Sequence, residues 1–223
     1  MKPNKIILVR HGESIANVDK SYHGKIPDYT MHLTANGKLQ AEQTGNKIKE
    51  IIGDETAFFY VSPYWRTRET FEGISKSMDK QLIKFREEPR LREQEWGHLR
   101  DLEEGDEVNF KRDSFGTFYY RLPDGESAAD VYDRVSDFFG TLHRDFEKTD
   151  YPDNAIIVTH GMTIRLFLMR WLHWTVEEFE QIANPKNCAI IVLERNDKGK
   201  YDLKVEMKKH EVGHSFQRPL VLD

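Results

Sequence analysis

Apolar residues in this chain fall into two kinds of run, and each predicts a different element. Continuous runs rich in β-branched or aromatic residues read as buried strands. They cover about 5–10, 57–61, 81–85, 154–158, 187–194 and 201–209. The last two are joined by a turn at Asp197-Lys198-Gly199-Lys200 in a hairpin pattern. Between the strands, apolar residues recur at helical spacing. Thr34 introduces a helix in which Leu39, Thr44, Ile48 and Ile51 or Ile52 fall on one face, and Gly53 ends it. A second helix runs from Tyr64 to about Met78. Ser127 N-caps a third, about 128–148, whose Val131, Val135, Phe138, Phe139, Leu142 and Phe146 form a core-facing stripe. Further helices are predicted at about 162–172 and 175–182, with a short helical start at Ser14. Strands alternating with helices imply an α/β fold: a three-layer sandwich with a mostly parallel central sheet, helices on both faces and an antiparallel edge.

Two stretches break the pattern. Residues 20–33 read as a loop. Residues 86–126 are irregular and carry the acidic runs Glu87-Glu88 and Glu103-Glu104-Gly105-Asp106-Glu107. Interleaved aromatics (Phe110, Phe115, Phe118, Tyr119, Tyr120) argue against disorder there, so this segment is expected to be a folded cap within a single domain spanning 1–223. Composition narrows the functional classes. A net charge of −5 over 223 residues gives no case for a nucleic-acid partner. The single cysteine, Cys188, excludes an internal disulfide and is expected in a strand. No run is long enough to span a membrane, and the N-terminus enters the first strand without a signal-peptide core. Together these favour a cytoplasmic location.

Candidate chemistry sits at strand ends. Arg10-His11-Gly12 closes the first strand, and His160-Gly161 closes the strand containing Ile156-Ile157-Val158. Open α/β sheets bind ligands at that edge. Arg10 offers a fork of donors suited to phosphate, Gly12 would let backbone approach a bound group, and His11 can serve as nucleophile. Ser62-Pro63-Tyr64-Trp65-Arg66 and Leu91-Arg92-Glu93 add a second guanidinium and a carboxylate. Arg68, two residues past Arg66, would point elsewhere on a helix and is expected to be salt-bridged. Arg165 would reach the site only if its helix turned it inward.

In order and content, Arg-His-Gly, Ser-Pro-x-x-Arg, Leu-x-Glu and Thr-His-Gly resemble the histidine phosphatase superfamily, the phosphoglycerate-mutase-like proteins. The likeness runs from Arg10 to about Arg165. It implies that His11 carries a phosphoryl group as phosphohistidine and that Arg10, Arg66 and His160 hold the non-bridging oxygens. It further implies Asn17 and Gly161 as phosphate contacts and Glu93 as general acid, with Trp96-Gly97 completing the acid's motif and Glu95 the competing choice. Neighbouring arginines are expected to favour ionised Glu93, so that proton donation improves toward acid pH. No metal or cofactor is implied. The string His210-Glu211-Val212-Gly213-His214 fits a zinc-hydrolase pattern, but Gly213 interrupts it and Pro219 follows.

The substrate is expected to be a phosphorylated small molecule. Arg112, Tyr119 and Arg121 are candidates for its pocket, with plain cap packing as the other reading of the aromatics. Ala16-Asn17 replaces the Trp-Asn pair of the cofactor-dependent mutases, and the cap is acidic rather than basic. The likeness therefore favours a metal-independent phosphomonoester hydrolase. A cofactor-dependent phosphoglycerate mutase and a non-catalytic phosphate-binding protein of the same fold remain the alternatives.

Overall fold

Alternation within each strand decides which side of the sheet a residue faces. In β1 (Lys5–Arg10), Ile6 and Leu8 pack with Tyr60, Ala155 and Ile157, whereas Ile7 and Val9 pack on the opposite side with Phe59, Val61, Ile156 and Val158. Both faces are thus apolar and both need a layer of helices. The computed structural model describes residues 2–97 and 102–210, the side chains of 102–104 excepted.

The other strands are β2 (Ala57–Val61), β3 (Ile83–Glu87), β4 (Asn154–Thr159), β5 (Ile190–Arg195) and β6 (Tyr201–Leu203). They form one six-stranded sheet in the order β3-β2-β4-β1-β5-β6. The four strands from β3 to β1 run parallel, and β5 and β6 add antiparallel to that edge. This is the predicted α/β architecture. After the short α1 (Ile15–Val18), α2 (Ala35–Ile52) and α3 (Trp65–Ser75) cover the Ile7 and Val9 face through Ile48, Ile52 and Ile74. Following α4 (Leu102–Phe115), α5 (Ala128–Phe146) and α6 (Gly161–Leu172) cover the other face, and α7 (Val176–Gln181) adds Phe179 to the same core. The α5 stripe is buried as read, and Ser127 and Asp130 cap the helix reciprocally. Such a cap contributes about 1 kcal/mol. No helix among the described residues is long and apolar enough to cross a membrane.

Several boundaries differ from the sequence reading, each for a local reason. The third strand begins two residues later, because Asp79 and Leu82 close a turn before it. The sixth stops at Leu203, since the chain then leaves the sheet and bridges Lys209 to Ile182. Cys188 lies in a turn with φ 55°, ahead of β5 rather than within it. The cap is more regular than expected. Its 14-residue helix α4 has no apolar stripe to announce it: Phe110 and Phe115 are exposed and Val108 is buried. A Glu107–Lys111 pair at i,i+4 supports it instead. The loop 20–33 contains two short 3-10 turns, Lys20–Gly24 and Asp28–Thr30.

Candidate active site

The carboxyl ends of β2, β4 and β1 lie side by side and deliver Ser62, His160 and the Arg10-His11 pair to one edge. Main-chain bonds from His11 N–H to Thr159 O (2.9 Å) and from Ser62 N–H to Val158 O (3.0 Å) extend the ladder into the site. The two imidazoles consequently meet, with ring centroids 5.2 Å apart and planes inclined by 60°. His11 Nδ1 lies 2.7 Å from the Gly12 carbonyl, which only accepts, so Nδ1 carries the proton and Nε2 keeps its lone pair. His160 Nε2 lies 2.8 Å from Ser62 Oγ, while its buried Nδ1 has no partner among the described residues.

Burial pushes both histidines well below the ordinary imidazole range, and the guanidiniums of Arg66 and Arg10 push the same way. Both rings are therefore neutral near pH 7. Arg10 donates to the Pro185 carbonyl at 2.6 Å, and its buried Nε has no partner among the described residues. Arg66, 4% exposed, is gripped by Asp28 through Nη1 to Oδ1 (3.1 Å) and Nη2 to Oδ2 (2.9 Å). Arg68 turns away to pair with Glu87. Asn17 uses its carbonyl oxygen to accept from Ser14 N–H and Asn187, and its own amide N–H groups have no acceptor among the described residues. Gly161 opens α6, so its N–H belongs to the unpaired first turn.

Gly12 has a packing role that its position did not announce. A Cβ there would come within 2.6 Å of the Gly37 carbonyl oxygen, and one on Gly37 within 2.0 Å of the Glu13 carbonyl oxygen. The pair allows the start of α2 to lie against the loop after β1.

Glu93 is held from several sides. Thr159 Oγ1 donates to Leu91 O at 2.6 Å and Thr163 Oγ1 to Arg92 O at 2.9 Å. From α5, Arg134 donates to the carbonyls of Arg90 (2.6 Å), Arg92 (2.9 Å) and Glu93 (3.0 Å). Glu126 ties Arg134 to Arg92 and accepts from Glu95 N–H. The carboxyl of Glu93 is raised, not lowered: burial outweighs the opposing pull of Arg66, the Gln94 amide and Arg10. The expectation that the arginines would win is thereby corrected. Glu95, the competing acid, is exposed.

Glu93 also lines a cavity of about 260 Å³ with Trp96, Arg112, Met162, Arg165 and Asn184. Arg112 lies 5.3 Å from the Trp96 ring and pairs with Asp113. Arg165 is turned inward, and burial brings its guanidinium down to about 10, still charged at neutral pH. Tyr119 and Arg121 lie elsewhere. Tyr119 is exposed beside Phe118, and Arg121 is engaged by Asp130 and the Gly125 carbonyl. His210 lines the cavity, but the rest of the zinc-hydrolase string lies outside the described residues, as does His98. Ser62, Asp28, Arg134 and Asn187 escaped the sequence reading. Only Ser62 had a signal, its place in Ser-Pro-x-x-Arg.

Comparison with known proteins agrees with this geometry. Residues 6–206 match the profile of the histidine phosphatase superfamily, branch 1. The chain is 40% identical over 228 residues to the phosphoglycerate mutase-like protein AT74H of Arabidopsis thaliana, covering 95% of this chain and 81% of that one. It is 30% identical over 302 residues to the broad-range acid phosphatase DET1 of Saccharomyces cerevisiae, covering 93% and 90%. Among solved structures, a mycobacterial glucosyl-3-phosphoglycerate phosphatase superposes with a TM-score of 0.72 at 18% identity, covering 92% of this chain and 99% of that one.

Proposed function

The chain belongs to branch 1 of the histidine phosphatase superfamily and is a phosphatase of that family; we propose that it hydrolyses small phosphomonoesters through a phosphohistidine on His11, with Glu93 as general acid. One observation carries this reading: two neutral imidazoles face each other 5.2 Å apart beside Arg10 and Arg66, with the His11 tautomer set by the Gly12 carbonyl.

In the first step His11 Nε2 attacks phosphorus. The bond from phosphorus to the leaving oxygen breaks, and that oxygen takes the Glu93 proton. In the second, water attacks the phosphohistidine and gives its proton to the Glu93 carboxylate. His11 then departs with its bonding pair, and inorganic phosphate is released. Arg10, Arg66, the Asn17 amide, the Gly161 N–H and His160 hold the non-bridging oxygens. With Ser62 donating to Nε2, His160 Nδ1 carries a proton toward them. These donors are fixed before the reaction, and losing one such group typically costs about 100- to 1000-fold. The acidic cap and the yeast relative's name favour hydrolysis over mutase chemistry. Phosphate release from p-nitrophenyl phosphate, lost in His11→Ala, tests the phosphatase reading. Conversion of 3- to 2-phosphoglycerate in a coupled assay, faster than phosphate release, would replace it with mutase chemistry.

A further inference from the structure

We propose that Arg165 is a specificity-determining residue that receives a second acidic group, a carboxylate or another phosphate, on the leaving portion of the substrate. The inference rests on the phosphatase reading, because Glu93 marks the leaving-group side of the reacting phosphorus and lines the same cavity as Arg165.

Arg165 stands four residues after Gly161 on α6, on the same side of the helix. The residue is 4% exposed. One Nη2 bond, 3.0 Å to the Phe179 carbonyl, and a face contact 4.3 Å above the Phe179 ring hold the guanidinium in place. Neither neutralises it. Nε is buried with no hydrogen-bond partner, and no carboxylate lies within ion-pair distance, among the described residues. Among the described residues, three acids share the cavity: Glu180, whose charge acts on the guanidinium while its Oε1 accepts from Phe118 N–H at 2.7 Å; Asp113, which pairs with Arg112 at 3.1 Å; and Glu93, the proposed proton donor. A buried charge with no direct ion pair is costly, and an anionic ligand group would supply one. Arg112, already shared with Asp113 and Trp96, is the weaker of the two cavity cations. Arg10, Arg66 and His160 are assigned to the transferred phosphoryl group, whereas Arg165 shares its cavity with Glu93 and would face what leaves. The competing role is a brace: Arg165 would merely tie α6 to α7 through the Phe179 carbonyl.

A chain-length ladder separates the two roles. The probes are ω-carboxyalkyl phosphates, alkane bisphosphates and plain alkyl phosphates of matched length. Each is assayed for kcat/KM with the wild type, Arg165→Gln and Arg165→Lys. The readout is the acidic-to-neutral ratio within each protein, so a general loss of activity cancels. The wild type is expected to prefer an acidic probe by about 10- to 100-fold at some length, chiefly through KM. The preference should fall below about 3-fold in Arg165→Gln and survive in part in Arg165→Lys. Whichever acidic arm is preferred identifies the group as carboxylate or phosphate. A ratio near one at every length in the wild type, or one unchanged in Arg165→Gln, overturns the inference. If Arg165→Gln does not fold, the wild-type ladder and Arg165→Lys decide. If none of the ladder is turned over, calorimetric binding of the same compounds decides on Arg165, and p-nitrophenyl phosphate hydrolysis decides separately on the phosphatase reading.

Discussion

Protonation at two side chains sets the pH at which this site can work. His11 must be neutral to attack. Burial and two guanidiniums lower its affinity for a proton, so competence is lost only when pH falls well below the usual imidazole range. Glu93 must be protonated to donate. Its carboxyl is raised above the usual value of 4.5, so competence is lost as pH rises through that raised value. The two limbs enclose the working range, with His11 setting its acid edge and Glu93 its basic edge. In Glu93→Gln, kcat/KM for an alkyl phosphate should fall about 100- to 10,000-fold. Its basic limb should move to that of the substrate's own ionisation. p-Nitrophenyl phosphate, whose leaving group needs no proton, should lose less. An unchanged basic limb would show that another group is the acid. The identity of these residues was legible in the sequence, since strand-end histidines and the Leu-x-Glu motif name them. The sign of the Glu93 shift was not. It depends on how deeply neighbouring segments bury the carboxyl, and no local pattern encodes that.

At the scale of elements, α5 does two jobs with two faces. Its apolar stripe fills the core, and its Arg134 clamps the segment 90–93 through three carbonyls while Glu126 balances its charge. Arg134→Met should cost roughly 3 kcal/mol of stability or more, because buried acceptors and a carboxylate lose their donor. It should also lower kcat by about 10-fold or more as Glu93 loses its fixed place. Urea unfolding and steady-state kinetics check the two effects. Lost stability with intact kcat would reduce the clamp to a structural tie. The stripe was legible because burial leaves a helical period in the apolar residues. The clamp was not, since a lone arginine on the polar side of a helix looks like any solvated cation. The cap helix α4 was missed for a related reason. It buries too little for a stripe, and its support comes from charge spacing and from neighbours.

At the scale of the whole molecule, folding brings together two histidines separated by most of the chain. The apolar runs gave the strands and their two faces. Strand order depends on crossover connections, which periodicity does not record, and here β4 lies between β1 and β2. The motif likeness, rather than the hydrophobic pattern, is what foretold that His11 and His160 share a site. Burying both in neutral form ties stability to pH. Below about pH 6.5 the unfolded chain protonates both rings while the folded state does not, so stability falls as pH falls. Glu93 works the other way, because between 4.5 and its raised value only the folded state holds that proton. Well below pH 6.5, two protons on the unfolded rings less one on folded Glu93 leave a net approaching one extra proton on the unfolded chain, or about 1.4 kcal/mol per pH unit. Urea midpoints measured from about pH 6 down to 5 should show this slope, and Glu93→Gln should steepen it by about the same amount. A flat profile would mean that the histidines charge freely in the folded protein.

The most direct test is to trap the covalent intermediate. The protein is mixed with excess p-nitrophenyl phosphate and quenched in alkali, where phosphohistidine survives, and the labelled peptide is located by mass spectrometry. One phosphoryl group on His11, absent when His11→Ala is treated in the same way, is the result expected. Steady hydrolysis with no label on His11, or with hydrolysis persisting in His11→Ala, would contradict the account.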